Sequence, residues 1–286
     1  MEFIRLILKW VARVRAIHGL SCPLTGATIT EHARGRDQSE GGITTKTAML
    51  RTLGGTLFFL PLNLIQVQRY SPTAAGAALL PLILIIFLLS RWSGALVQRC
   101  GAKLPLVIGP LIAAAGFALF ARPAVGGAYW TTFFPALVLL GIGMAVSVAP
   151  LTTTVMSSVA GDRAGVASGI NNAVSRTAGL LSIAVLGIVM LHIFDRSLGG
   201  RLAKLEASPS VKQSLYAQRS RLAGIELPEA ISPETRALLT DANDGSFVDG
   251  FRYVMLIGAA LALGSAVTAL LLIHPHPSSV PAANGS

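Results

Sequence analysis

Few residues in this 286-residue chain could do chemistry. Arg176 is the one charged residue well inside a long apolar stretch, with Asn171, Asn172 and Ser175 within two helical turns of it. Asn172 and Arg176 are four residues apart, so on a helix they share a face. A cation held in apolar surroundings is costly and faces a cavity or a partner, which makes Arg176 the first candidate for a solute-contacting group. The competing reading is that these polar groups hydrogen-bond neighbouring helices. Asn63 and Gln66 are candidates for the facing wall. Such groups recognise a solute by hydrogen bonds and charge and break no covalent bond. His192 reads as a polar cap at a span end, and His274 and His276 lie in a Pro/Ser tail. GxSxG, HExxH and the P-loop pattern do not occur, so the sequence gives no support for an enzyme. It gives no metal site and no cofactor either. Cys22 and Cys100 form no CxxC pair and no disulfide framework.

The elements that must position these residues follow from composition. Apolar residues make up 52% and charged residues 13%, about half the usual charged share of roughly 25%. Mean hydropathy is +0.64. The net charge of +10 is therefore read as topology signals beside membrane spans rather than as a nucleic-acid footprint. A bilayer core about 30 Å thick needs roughly 20 apolar residues. Charge-free runs place six spans, near 49–66, 74–90, 104–121, 131–155, 166–194 and 251–273. The expected fold class is an all-α membrane protein with one six-helix domain over 49–273.

Short-loop charge sets the expected orientation. Arg91, Arg99 and Lys103 lie between spans two and three with no acid, which puts that loop inside. Both termini then fall in the cytoplasm and 195–249 falls outside. That segment is expected to form two or three short amphipathic helices over the outer mouth. Ser210 is one candidate cap, and Ser232-Pro233-Glu234 is a clear helix start. Residues 1–48 form a basic N-terminal segment with Arg5, Lys9 and Arg13 on one helical face; it is either an interfacial helix or a disordered leader. Residues 274–286 form a cytoplasmic tail. Prolines 61, 81, 110, 135 and 150 fall within spans and are either hinges or packing bends. Gly54-Gly55, Gly141-Ile-Gly143 and the Gly165/Gly169 pair are expected at close helix contacts.

Two stretches carry a family resemblance. Gly94-Ala-Leu96-Val-Gln98-Arg99-Cys-Gly101-Ala-Lys103 resembles the signature loop between the second and third helices of each half of the major facilitator superfamily. Gln98 stands where that pattern has an acid and Ala102 where it has an arginine, which resembles the degenerate copy of the C-terminal half. Gly141 to Thr154, followed by Asp162-Arg163-Ala-Gly165 through Asn171-Asn172 to Arg176 and Gly179, resembles the fourteen-span drug:proton antiporters of that superfamily (EmrB/QacA type). Ser71–Pro81 and the long segment before the last span are similar to the same group. TLFFLPLNLI and TTFFPALVLL, opening spans one and four, are compatible with an internal repeat.

The resemblance implies the C-terminal six-helix half of a major facilitator fold in the cell (inner) membrane. It implies a small amphipathic organic substrate and a proton as coupling ion, with a separate N-terminal half or a second copy supplying the facing wall. The acid that takes up the proton in that family belongs to the N-terminal half, and none of the six spans here contains Asp or Glu. Residues 1–48 lack the family pattern, so an incomplete reading frame is expected. The alternative is a non-transporting truncated protein or partner-binding half-bundle.

Overall fold

The computed structural model describes residues 57–100, 103–157, 164–205, 214–225 and 231–272. The expectations for 1–48, Ser210, Gly54-Gly55, Gly101 and the tail lie outside these residues. Among the described residues every regular element is helical. Helix α1, Leu57–Val67, ends in a π turn over Asn63–Val67, two residues after Pro61 removes one backbone donor. The turn that follows leads into α2, Pro72–Ala78. Ser71 Oγ accepts the Ala74 N–H at 3.2 Å, and Pro72 takes the first helical position. Helix α3 is Leu80–Cys100, α4 Lys103–Phe120, α5 Tyr129–Ser157, α6 Ala164–Ala203 and α7 Pro233–Leu272.

Four helical stretches are long and apolar enough to cross a membrane, within Pro72–Ser90, Tyr129–Ser147, Asn172–Ala203 and Pro233–Leu271. Leu57–Val67 and Leu104–Phe120 are shorter apolar helices. Helix α4 packs on α5 and α7, α3 lies on α5, and α6 lies on α7. The α4–α5 contact is a backbone contact. A Cβ on Gly143 would sit 2.7 Å from Gly109 O and 2.9 Å from Ala113 Cα, and one on Gly116 would sit 2.8 Å from Leu140 N. Small residues at this seam let dispersion act between the helices themselves. Phe117, Phe120, Phe133, Leu137 and Leu140 fill the rest of the core between them.

Two sequence expectations are corrected. The stretch between spans two and three is not a ten-residue loop, since α3 runs on through Cys100 and α4 begins at Lys103. Apart from Gly94, the residues from Trp92 to Arg99 are tolerated in helices, and a helix has no reason to stop at the apolar boundary. The 195–249 segment is also different from a set of short separate helices. Its first nine residues continue α6, and Pro233 to Asp249 belong to α7. At 40 residues each, these helices are about 60 Å long, twice the apolar core. Among the described residues of the segment, the helical pieces that stand apart are 214–217 and the 3-10 turn Arg219–Gly224. The Ser232 start signal holds, because Ser232 Oγ accepts the Thr235 N–H at 3.2 Å.

Close contact holds for Gly141 and Gly143 but not for Gly165 and Gly169, whose Cβ positions would meet nothing within 4 Å. The difference is physical: α5 has helices on two sides, whereas this face of α6 has no partner among the described residues.

Candidate functional site

The bundle has two chemically distinct ends. At the end bearing 195–249, the loop end, charged residues from distant parts of the chain meet. Asp249 Oδ2 accepts from Ser197 Oγ at 2.6 Å and from Arg201 Nη2 at 2.9 Å, which ties α6 to α7. Arg252 Nη2 donates to Pro123 O at 3.3 Å. Burial pushes the Asp249 carboxyl up, but the bonds from Ser197 and Arg201 and the charges of Arg201 and Arg252 outweigh it, leaving it below the usual carboxylate range.

Asp244 lies one to two turns further from the apolar part of α7. Arg69, in the α1–α2 turn, donates to its Oδ2 at 2.8 Å and its Oδ1 at 3.2 Å. The Asp244 side chain is 5% exposed and that of Arg69 57%. Burial raises the Asp244 pKa to about 6 against the opposing pull of Arg69, and the Asp241 charge adds to the rise. Sequence reasoning missed this cluster. The visible signal was the spacing of Asp241, Asp244 and Asp249 just before the last span; the partner 175 residues away was not legible.

Asn63 and Gln66 belong to this loop end. Asn63 is completely buried, and neither of its amide atoms has a hydrogen-bond partner. Gln66 Oε1 is likewise buried without one, and the Gln66 amide lies against Gly224. Their π turn packs on α7 and on the 219–224 turn. Asn243 Nδ2 reaches the same turn, donating to Ala223 O at 3.0 Å.

Arg176 and Asn172 lie toward the other end. Arg176 is 21 residues before Ser197 on α6, or about 32 Å along the helix, so the structure does not bring it together with Asn63 or Gln66. The charge-free run of α6 is Thr177–Phe194, about 27 Å long, and Arg176 stands at its margin. Both Asn172 and Arg176 are exposed, on one face with Gly165, Gly169, Ala173 and Thr177. The side chain of Asn171 lies outside the described residues. The other large exposed faces carry Phe87, Leu88, Val267 and Leu271, which suit lipid. This face of α6 does not. Gly94, Gln98 and Arg99 occupy the last turns of α3, and Lys103 is the first residue of α4.

Long apolar helices with lipid-compatible flanks mark a polytopic membrane protein. The sequence model described as Major Facilitator Superfamily matches residues 42–183, and the chain belongs to that superfamily. It is 29% identical over 227 residues to a tetracenomycin C resistance and export protein of Streptomyces glaucescens, covering 78% of this chain and 42% of that protein. It is 26% identical over 219 residues to the multidrug resistance protein Stp of Mycobacterium tuberculosis, covering 72% and 39%. It is also 29% identical over 266 residues to a tetracycline resistance determinant of Streptomyces rimosus, covering 84% and 74%. The chain thus spans about two fifths of the length of the first two relatives.

Proposed function

We propose that this chain forms the C-terminal six-helix half of a drug-exporting major facilitator transporter in the cell (inner) membrane, with both termini in the cytoplasm. The observation that carries the reading is the polar, unpartnered face of α6 at Asn172 and Arg176. A guanidinium and an amide exposed at the apolar margin call for a hydrated pathway or another protein surface. A facing half, supplied by a separate N-terminal half or a second copy, would cover that face, and the pathway would run between the two. The substrate is a small amphipathic organic compound, in keeping with the resistance proteins this chain resembles. Arg176 and Asn172 then line the cytoplasmic mouth, because Arg176 shares its end of the bundle with the basic residues Arg91 and Lys103.

A second reading has its own support. No Asp or Glu lies in the charge-free spans, so this half by itself offers no membrane-embedded acid for a coupling proton. A half-bundle that binds a partner transporter without transporting fits that fact.

Co-expression with a candidate N-terminal half in a transport-negative strain separates the two. Drug efflux that needs both halves and is abolished by Arg176→Ala supports the transporter reading. Complex formation with no efflux supports the second. Robust resistance from this chain alone overturns the need for a facing half.

A further inference from the structure

We propose that the Arg69–Asp244 pair is a proton-operated latch, which fastens the α1–α2 turn to α7 when Asp244 is ionised and frees it when Asp244 is protonated. The geometry supports this at both partners. Asp244 sits in a stretch of α7, Ala242 to Val248, in which every residue is buried, and Arg69 is the one cation bonded to it among the described residues. Arg69 itself holds φ = 60°, a left-handed backbone conformation that side chains adopt at a cost and keep only when their surroundings impose it. Just before it lies the π turn whose Asn63 amide is buried and unsatisfied. The pair therefore holds a strained turn in place.

The charged groups around Asp244 are few. Arg69 faces it from the α1–α2 turn and Asp241 from its own helix, and Arg236, about two turns back on that helix, lines the same groove. Helix α6 contributes Arg201, but that guanidinium lies against Gly245 and is bonded to Asp249. The α4–α5 connection brings the apolar Val125 to the groove beside it. Asp195 and Arg219 face each other elsewhere at this end. An open groove lined by Val125, Ile231, Pro233, Arg236, Asp241 and Asp244 gives water access to the carboxyl. Its pKa near 6 puts the change in an accessible range.

The step balances without any co-reactant. Asp244 takes a proton from water, an O–H bond forms on the carboxyl, and Arg69 keeps its charge and turns to the solvent it already half faces. The turn stays tied elsewhere, because Gln68 Nε2 donates to Ala124 O at 3.0 Å and Gln68 Oε1 accepts the Gly126 N–H at 3.1 Å. Protonation thus uncouples the turn from α7 while leaving it on the α4–α5 connection. This does not rest on the transport reading.

The test uses the full chain in liposomes with Cys22→Ser and Cys100→Ser. Nitroxides on Thr73→Cys and Ala237→Cys report the distance from α2 to α7, and a second pair on Thr73→Cys and Ala128→Cys reports α2 to the α4–α5 connection. The first distance should lengthen and broaden as pH falls through about 6, while the second stays fixed. Asp244→Asn and Arg69→Gln should each give the long, broad distribution at every pH; Asp249→Asn should keep the transition. A first distance unchanged between pH 4.5 and 8 overturns the latch. So does a transition near pH 6 that survives in Asp244→Asn, or a short distance that persists in Arg69→Gln.

Discussion

Adding one methyl group should have opposite effects at two glycines of this bundle. At Gly143 a Cβ would stand 2.7 Å from Gly109 O and 2.9 Å from Ala113 Cα. Ordinary carbon contacts lie at about 3.5–4.0 Å, so α4 and α5 must part by close to 1 Å over the seam they share. These obstructing atoms are backbone and cannot swing aside. Overpacking of this kind costs about 1–3 kcal/mol, against which alanine's better helix propensity returns up to about 1 kcal/mol. Because all three contacts of the added Cβ, at 2.5, 2.7 and 2.9 Å, are to backbone, the upper part of that range applies, and Gly143→Ala should lower stability by about 1–2 kcal/mol net. At Gly169 a Cβ meets nothing within 4 Å, so only the propensity gain remains, and Gly169→Ala should be neutral or stabilising by up to about 1 kcal/mol. Reversible unfolding of the purified chain in detergent, followed by helical circular dichroism, measures both. A neutral Gly143→Ala refutes the backbone-contact account of the seam. A destabilising Gly169→Ala in the isolated chain refutes the open face on α6. If a facing half docks there, Gly169→Ala should instead weaken that association, which a pull-down against the candidate half reads directly.

Other consequences follow from the loop end and from the topology. Arg201→Met and Asp249→Asn should show a coupling of about 0.5–1 kcal/mol in a double-mutant cycle, the range for a partly exposed pair; strictly additive effects would remove the α6–α7 tie. The folded-state pKa of Asp244 is raised from 3.8 to about 6, so its contribution to stability is fully present below about pH 4 and is lost as pH rises through about 6. Unfolding followed from pH 4 to 8 should show that decline in the native chain and a flatter profile in Asp244→Asn; equal slopes would exclude this carboxyl as the source. An impermeant thiol reagent applied from outside should label Lys204→Cys in intact cells, and labelling only after the membrane is opened would invert the proposed orientation.

How much of this was legible in the sequence depends on the range of the interaction. Charge-free runs bounded by Arg69, Arg91, Lys103 and Arg122 mark apolar helices because bilayer thickness acts locally on a run of residues. Ser232-Pro233-Glu234 marks a helix start because a cap is made within four residues. The ends of α3 and α6 were not legible. A hydrophobic run records where lipid stops, while the helix stops where its backbone bonds lose support, and Asp249 lends α6 that support from 48 to 52 residues away. The glycines divide by the same logic. Gly143 and Gly169 look alike in sequence, and only the neighbour packed on each face tells a contact from an opening.

Arg176 illustrates how depth decides what a charge requires. The sequence shows an arginine inside a long helical run, where a buried cation would demand a counter-ion. The structure shows a 40-residue helix that outreaches the bilayer, with its 18 charge-free residues, Thr177–Phe194, accounting for the apolar core. A cation at that margin can reach headgroup water with its long side chain, so it needs no embedded acid to be tolerated. What it does need, on a face shared with Asn172 and the small residues Gly165, Gly169 and Ala173, is a neighbour that is not acyl chain. A docking half would therefore have to present backbone carbonyls or hydroxyls to the guanidinium at close range, together with a surface that fits against glycine. An Arg176→Lys variant separates charge from geometry. Retained efflux would mean that the charge suffices, whereas loss equal to that of Arg176→Ala would mean that the planar, multiply donating guanidinium is what the facing surface reads.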